Sequence, residues 1–159
     1  MTMPLVILAS GLLLICGCSR RPPSAPAYTP GLGEIMAFNQ MRHAKLWFAA
    51  QAGNWELASY ELDELHEGLD DAARLHPTHK DAPLPIPALI QKIMDQPLAD
   101  LGAAVKARDQ AGFSARYDAL TAACNSCHQA TNFGFNVVTR PSFNPYSNQS
   151  FAPSHRPGG

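Results

Sequence analysis

β-Branched aliphatic residues are scarce in this chain: four valines and six isoleucines among 159 residues. Sheets draw heavily on such side chains, so the composition argues against a β-rich fold. Charge is scarce too. Twelve basic and thirteen acidic side chains leave a net charge of −1. That is too little positive charge for a nucleic-acid binder, and too little of either sign for a charge-extended disordered chain. Cysteine is limited to four residues, Cys16 and Cys18 near the start and Cys124 and Cys127 near the end. A disulfide framework spreads its cysteines through the chain, so this is not one. The apolar run at 5–15 is 11 residues long, about half of what a membrane-spanning helix needs.

What is present falls into four stretches. Residues 1–17 are expected to be an export signal peptide, although residues 1–4 lack the usual Lys or Arg. The segment Ile15-Cys16-Gly17-Cys18-Ser19 resembles a bacterial lipoprotein cleavage box, with Cys18 as the lipidated first residue of the mature chain. A plain secretory signal cut nearby is the alternative. Residues 18–30, with Pro22, Pro23, Pro26 and Pro30, read as a semi-rigid tether. Lipidation would place the domain at an envelope membrane on the periplasmic side, the outer membrane being favoured.

Residues 31–132 read as helical. Of 24 alanines, 20 lie between 37 and 130, while only five of 14 prolines lie between 31 and 130. Periodicity divides the region into helices at about 32–50, 55–75, 87–108 and 110–130. The first has Leu32, Ile35, Met36, Asn39, His43, Leu46, Trp47 and Ala50 on one face. The second buries Leu62, Leu65, Leu69 and Ala72 and carries Glu56, Glu61, Asp63, Glu64, Glu67, Asp70 and Asp71 elsewhere, with no Lys or Arg from 46 to 73. The third turns Ile90, Ile93, Met94, Leu101 and Val105 inward, and Pro97 should kink or split it. The fourth carries an inner stripe of Phe113, Tyr117, Leu120, Cys124 and Cys127. Short turns make the expected fold an all-α, antiparallel four-helix bundle. Residues 133–159, rich in Pro, Ser and Asn, read as an irregular tail whose Phe133, Phe135, Phe143, Tyr146 and Phe151 suit partial packing on the bundle.

Cys124-Asn125-Ser126-Cys127-His128 is the pattern for covalent attachment of a c-type haem near the end of the last helix. Two thiols three residues apart on one helical turn can form thioethers along one porphyrin edge. The adjacent imidazole is then held beneath the iron as proximal ligand. A structural zinc site would need four ligands, and no second cysteine pair lies near in sequence. A thioredoxin-type motif belongs at a helix start after a strand.

With this motif closing a fourth helix, residues 113–128 and the layout of 31–130 resemble the class II c-type cytochromes, the cytochrome c-prime group. The resemblance implies one covalent haem c held by Cys124, Cys127 and His128, with Tyr117 beside it. It also implies a distal residue from the first helix. His43, at the centre of that helix's apolar face, is the leading candidate for a second iron ligand. Met36 shares the face, whereas Met41 points about 160° away from His43. One departure is Asn132, where the family often has a basic residue, so propionate contacts do not carry over from that position. His66 reads as a solvated surface residue; His76 and His79 lie in the Pro-rich loop and could reach a metal, although loop histidines usually do not, and His155 in the tail is a weak distal candidate.

The leading expectation is a periplasmic mono-haem electron carrier rather than an enzyme, membrane-tethered through its lipid, with redox protein partners docking on the acidic face of the second helix. The alternatives are a gas-binding or sensing haem protein with an open distal site, and a peroxidase-like haem enzyme. Such bundles commonly form homodimers, though no helix here carries a second apolar stripe. No nucleic-acid partner is expected.

Overall fold

The computed structural model describes residues 28–80 and 82–154. The signal segment, Cys18, most of the tether and His155 lie outside the described residues. Four helices make up the fold: α1 (Leu32–Gln51), α2 (Trp55–Leu75), α3 (Ile86–Ala107) and α4 (Gln110–Ala130). No strand occurs among the described residues.

Two of the three connections are tight turns built on the same plan. After α1, Gly53 takes a left-handed backbone (φ 72°). Its N–H reaches the Ala50 carbonyl at 3.0 Å, and the Asn54 N–H reaches that of Ala49 at 2.9 Å. Asn54 then opens α2 by accepting from the Leu57 N–H through its side chain at 3.1 Å. After α3, Arg108 takes the left-handed position (φ 54°). The Asp109 N–H closes α3 on the Ala104 carbonyl at 2.9 Å, while its carboxylate accepts from the Gly112 N–H at 2.8 Å to open α4. One residue thus ends one helix and caps the next, satisfying backbone groups that helix termini leave unpaired. A Cβ at Gly112 would lie 2.0 Å from Arg116 Nη1 and 2.1 Å from Asp109 Oδ2, so the cap and its ion pair to Arg116 would have to shift.

Pro97 does not split α3, which runs unbroken from Ile86 to Ala107. A mid-helix proline costs roughly 3 kcal/mol. Burial of Met94, Leu98 and Leu101 on either side, each about 1.5–3 kcal/mol, outweighs it.

The two ends of the molecule are filled differently. At one end Trp47, Trp55, Phe113 and Tyr117 form an aromatic cluster, with Trp47 and Tyr117 centroids 5.0 Å apart and Phe113 and Tyr117 5.7 Å apart. Midway, His43 of α1 meets Tyr117 and Thr121 of α4. Beyond that level the early part of α1 and the late part of α4 line a cavity instead of closing on each other.

The tail is irregular, and much of it is fastened down. Phe151 is buried in the core against Phe48, centroids 5.5 Å apart. Arg140 forms a two-pronged ion pair with Asp118, its Nε 3.0 Å from Oδ1, and stacks its guanidinium over Trp47 at 4.5 Å. The acidic face of α2 is smaller than the sequence suggests. Glu61 is buried, Glu64 pairs with Arg42 at 2.9 Å and Asp71 pairs with Arg74. Glu56, Asp63, Glu67 and Asp70 stay exposed.

Candidate functional site

The cavity measures about 430 Å³, within the ~300–1,000 Å³ range typical of cofactor and ligand sites. α1 contributes Met36 and Asn39, α3 contributes Ile90 and Met94, and α4 contributes Cys124, Cys127 and His128. The loop after α2 adds His79 and Lys80, and the tail adds Phe133 and Val138. Among the described residues, no acidic side chain lines it.

Cys124 and Cys127 are free thiols one turn apart on α4. Burial pushes the Cys124 thiol up to about 12, and also raises that of Cys127. They are therefore protonated apolar groups at neutral pH, unlike the activated thiolates of redox enzymes. Among the described residues, no three His, Cys, Asp or Glu side chains come together as a metal-ion site.

The tail orients His128. Its Nδ1 lies 2.6 Å from the Asn136 carbonyl oxygen. A carbonyl only accepts, so Nδ1 carries the proton and the neutral ring keeps its lone pair on Nε2. Such a carbonyl is the usual orienting partner of a metal-bound imidazole. The turn that follows fixes this end of α4. Asn132 adopts the left-handed conformation (φ 65°), and the Phe133 N–H returns to the His128 carbonyl at 2.7 Å. Asn is one of the few residues suited to that position, so Asn132 serves the backbone here.

His43 is engaged differently. Thr121 donates its hydroxyl proton to the Tyr117 carbonyl at 2.9 Å. Its oxygen, 2.8 Å from His43 Nε2, must then accept from that nitrogen. The Tyr117 hydroxyl, 2.8 Å from His43 Nδ1 and 2.9 Å from the His43 carbonyl oxygen, shares its one proton between those two acceptors. Both ring nitrogens are thus satisfied inside the protein, and burial lowers the imidazole to about 4, keeping it neutral. In this pose His43, the leading candidate for second iron ligand, presents no lone pair to the cavity. Tyr117, expected at the cofactor, does not line the cavity; it stacks on His43 at 4.4 Å between centroids.

Of the remaining candidates, Met36 lines the cavity and Met41 does not. His66 is exposed, and His76 Nε2 contacts the Pro30 carbonyl at 2.8 Å. His79, the Pro-rich-loop residue named above as able to reach a metal, lines the cavity and rests beside Phe133, centroids 5.3 Å apart.

Two buried side-chain nitrogens among the described residues lack a hydrogen-bond partner, Asn39 Nδ2 and His79 Nε2. Both residues line this cavity. An unmet buried polar group costs about 1–3 kcal/mol, so their shared location marks a wall built to meet a polar ligand atom. With Lys80 also in the lining, the chemistry suits a largely apolar group that carries carboxylates, and haem is such a group. The thiol pair, the oriented imidazole and this lining fit it.

No protein-family model, no curated protein and no solved structure matches the chain. No helix among the described residues is long and apolar enough to cross a membrane.

Proposed function

We propose that the chain is a mono-haem c-type cytochrome of the class II kind, an antiparallel four-helix bundle that carries single electrons between redox partners. The observation that carries this reading is the convergence of Cys124, Cys127 and His128 on one apolar cavity, with His128 Nδ1 held by the Asn136 carbonyl and Nε2 left as the donor. The contact order supports the antiparallel arrangement, since Trp47 meets Phe113 and His43 meets Tyr117.

When bound, haem supplies a one-electron iron couple; the chain supplies the rest. Cys124 and Cys127 would hold it through thioethers, each thiol's S–H adding across a vinyl group with no atom lost. His128 would bind the iron through Nε2. Met36 would be the second protein ligand, because His43 is committed to Tyr117 and Thr121. Lys80, with the unpartnered nitrogens of Asn39 and His79, offers donors for the haem carboxylates. Ile90, Met94, Leu65 and Leu69 exclude water from the macrocycle, and burial of this kind tunes the potential.

The setting is periplasmic, with Cys18 lipidated and the Pro-rich tether holding the bundle off an envelope membrane. A redox partner would approach where Phe135 and Val137 stand exposed beside the cavity residues Phe133, Asn136 and Val138, steered by the exposed acidic residues of α2.

An absorption spectrum of the ferrous protein with and without carbon monoxide tests the reading. A low-spin haem indifferent to carbon monoxide is expected of the carrier. A high-spin haem that binds it readily would replace the carrier with a gas-binding protein.

A further inference from the structure

Val138 of the tail is gripped by Asn125, one of the two residues between the cysteines. Asn125 donates from Nδ2 to the Val138 carbonyl at 2.9 Å and accepts at Oδ1 from the Val138 N–H at 2.8 Å. Both halves of one amide are thus spent on one backbone position 13 residues away. Two residues before Val138 is Asn136, whose carbonyl holds His128 Nδ1 at 2.6 Å. Asn136 is tied back in turn by its N–H to the Phe133 carbonyl at 2.8 Å. Further on, Arg140 fixes the same strand of chain to Asp118 and Trp47.

We propose that Asn125 is a positioning residue for the proximal imidazole: by clamping Val138 it sets the Asn136 carbonyl on His128 Nδ1 and so fixes the ring's tautomer and basicity. This inference rests on reading His128 as the iron ligand, although the clamp is a property of the chain itself. Asn125 itself does not line the cavity. Its effect travels through the tail backbone and returns to α4 three residues further along. A firmly held Nδ1–H makes Nε2 a stronger donor, which favours ferric over ferrous iron. Loosening it raises the reduction potential.

The test has two arms. In the full chain without haem, labelled with ¹⁵N-histidine and held at a pH where imidazole is neutral, the ring nitrogen shifts of His128 report its tautomer. The wild type is expected to show Nδ1–H. Asn125→Ala is expected to move it toward Nε2–H, the form free histidine favours, and Asn125→Asp, which keeps only the bond from the Val138 N–H, to fall between. In the haem-loaded chain, Asn125→Ala is expected to raise the potential by about 59 mV, a tenfold change in the one-electron equilibrium. An Nε2–H wild type, a tautomer unmoved by Asn125→Ala, or an unmoved potential overturns the proposal. If the chain takes no haem, its absorption and mass report that separately, and the tautomer arm still decides the clamp.

Discussion

The phenol of Tyr117 lies against the imidazole of His43, ring centroids 4.4 Å apart, with its hydroxyl 2.8 Å from Nδ1. Together with Thr121 on Nε2, this contact makes His43 a brace between α1 and α4. A wall of satisfied polar groups then separates the aromatic end of the bundle from the cavity.

Removing the hydroxyl should expose the cost of that brace. Tyr117→Phe leaves His43 Nδ1 buried without a donor and is expected to lose about 1–3 kcal/mol in urea denaturation. His43→Ala should leave the haem absorption bands in place. A switch to high spin in His43→Ala would return His43 to the role of iron ligand.

The same histidine predicts an acid-side loss of stability. Its value falls from 6.5 in the unfolded chain to about 4 in the fold, so only the unfolded state takes up the proton between those limits. Stability is whole above pH 6.5 and declines as pH drops toward 4, by on the order of 3 kcal/mol. Glu61 runs the other way: burial raises it, Lys45 and Arg42 counter part of that, and its contribution fades as pH rises through the raised value. Comparing wild type with His43→Leu by denaturation across pH 4–8 isolates the histidine. Parallel curves would show that His43 titrates normally.

Met36 is assigned to the distal side because it lines the cavity while Met41 does not. Met36→Ala in the haem-loaded protein is expected to yield a high-spin ferrous spectrum and carbon monoxide binding, with Met41→Ala unchanged. The reverse pattern would move the ligand to Met41.

The tail should matter for stability as well as for the site. Phe151 packs on Phe48 and Tyr146 in the core, so Phe151→Ala is expected to cost about 3 kcal/mol. A change within 0.5 kcal/mol would mean that the tail is dispensable to the bundle.

The helices were legible in the sequence because helix formation is local. Alanine content, the spacing of Leu62, Leu65 and Leu69, and the turn at Gly53-Asn54 place their bounds to within a residue or two. The thiol pair and His128 were legible for the same reason, being one turn of one helix. Pro97 misled in part, because its local cost is repaid by burial that the proline itself does not signal. The face of α1 put His43 and Met36 on the core side, but periodicity does not say which stretch of that side is filled and which lines a cavity. Tyr117 was drawn to the cofactor by sharing a stripe with Cys124, yet two turns along α4 separate a packed level from the cavity. The roles of Asn125, His79 and Asn136 depend on partners in irregular segments, where no period exists to read.

The most direct test is the intact mass of the full chain produced in a host that matures c-type cytochromes, with free thiols counted alongside. The account predicts a mass raised by one haem that survives denaturation, with neither Cys124 nor Cys127 titratable. Cys124→Ala together with Cys127→Ala should abolish the increment. An unmodified mass with both thiols free would contradict it.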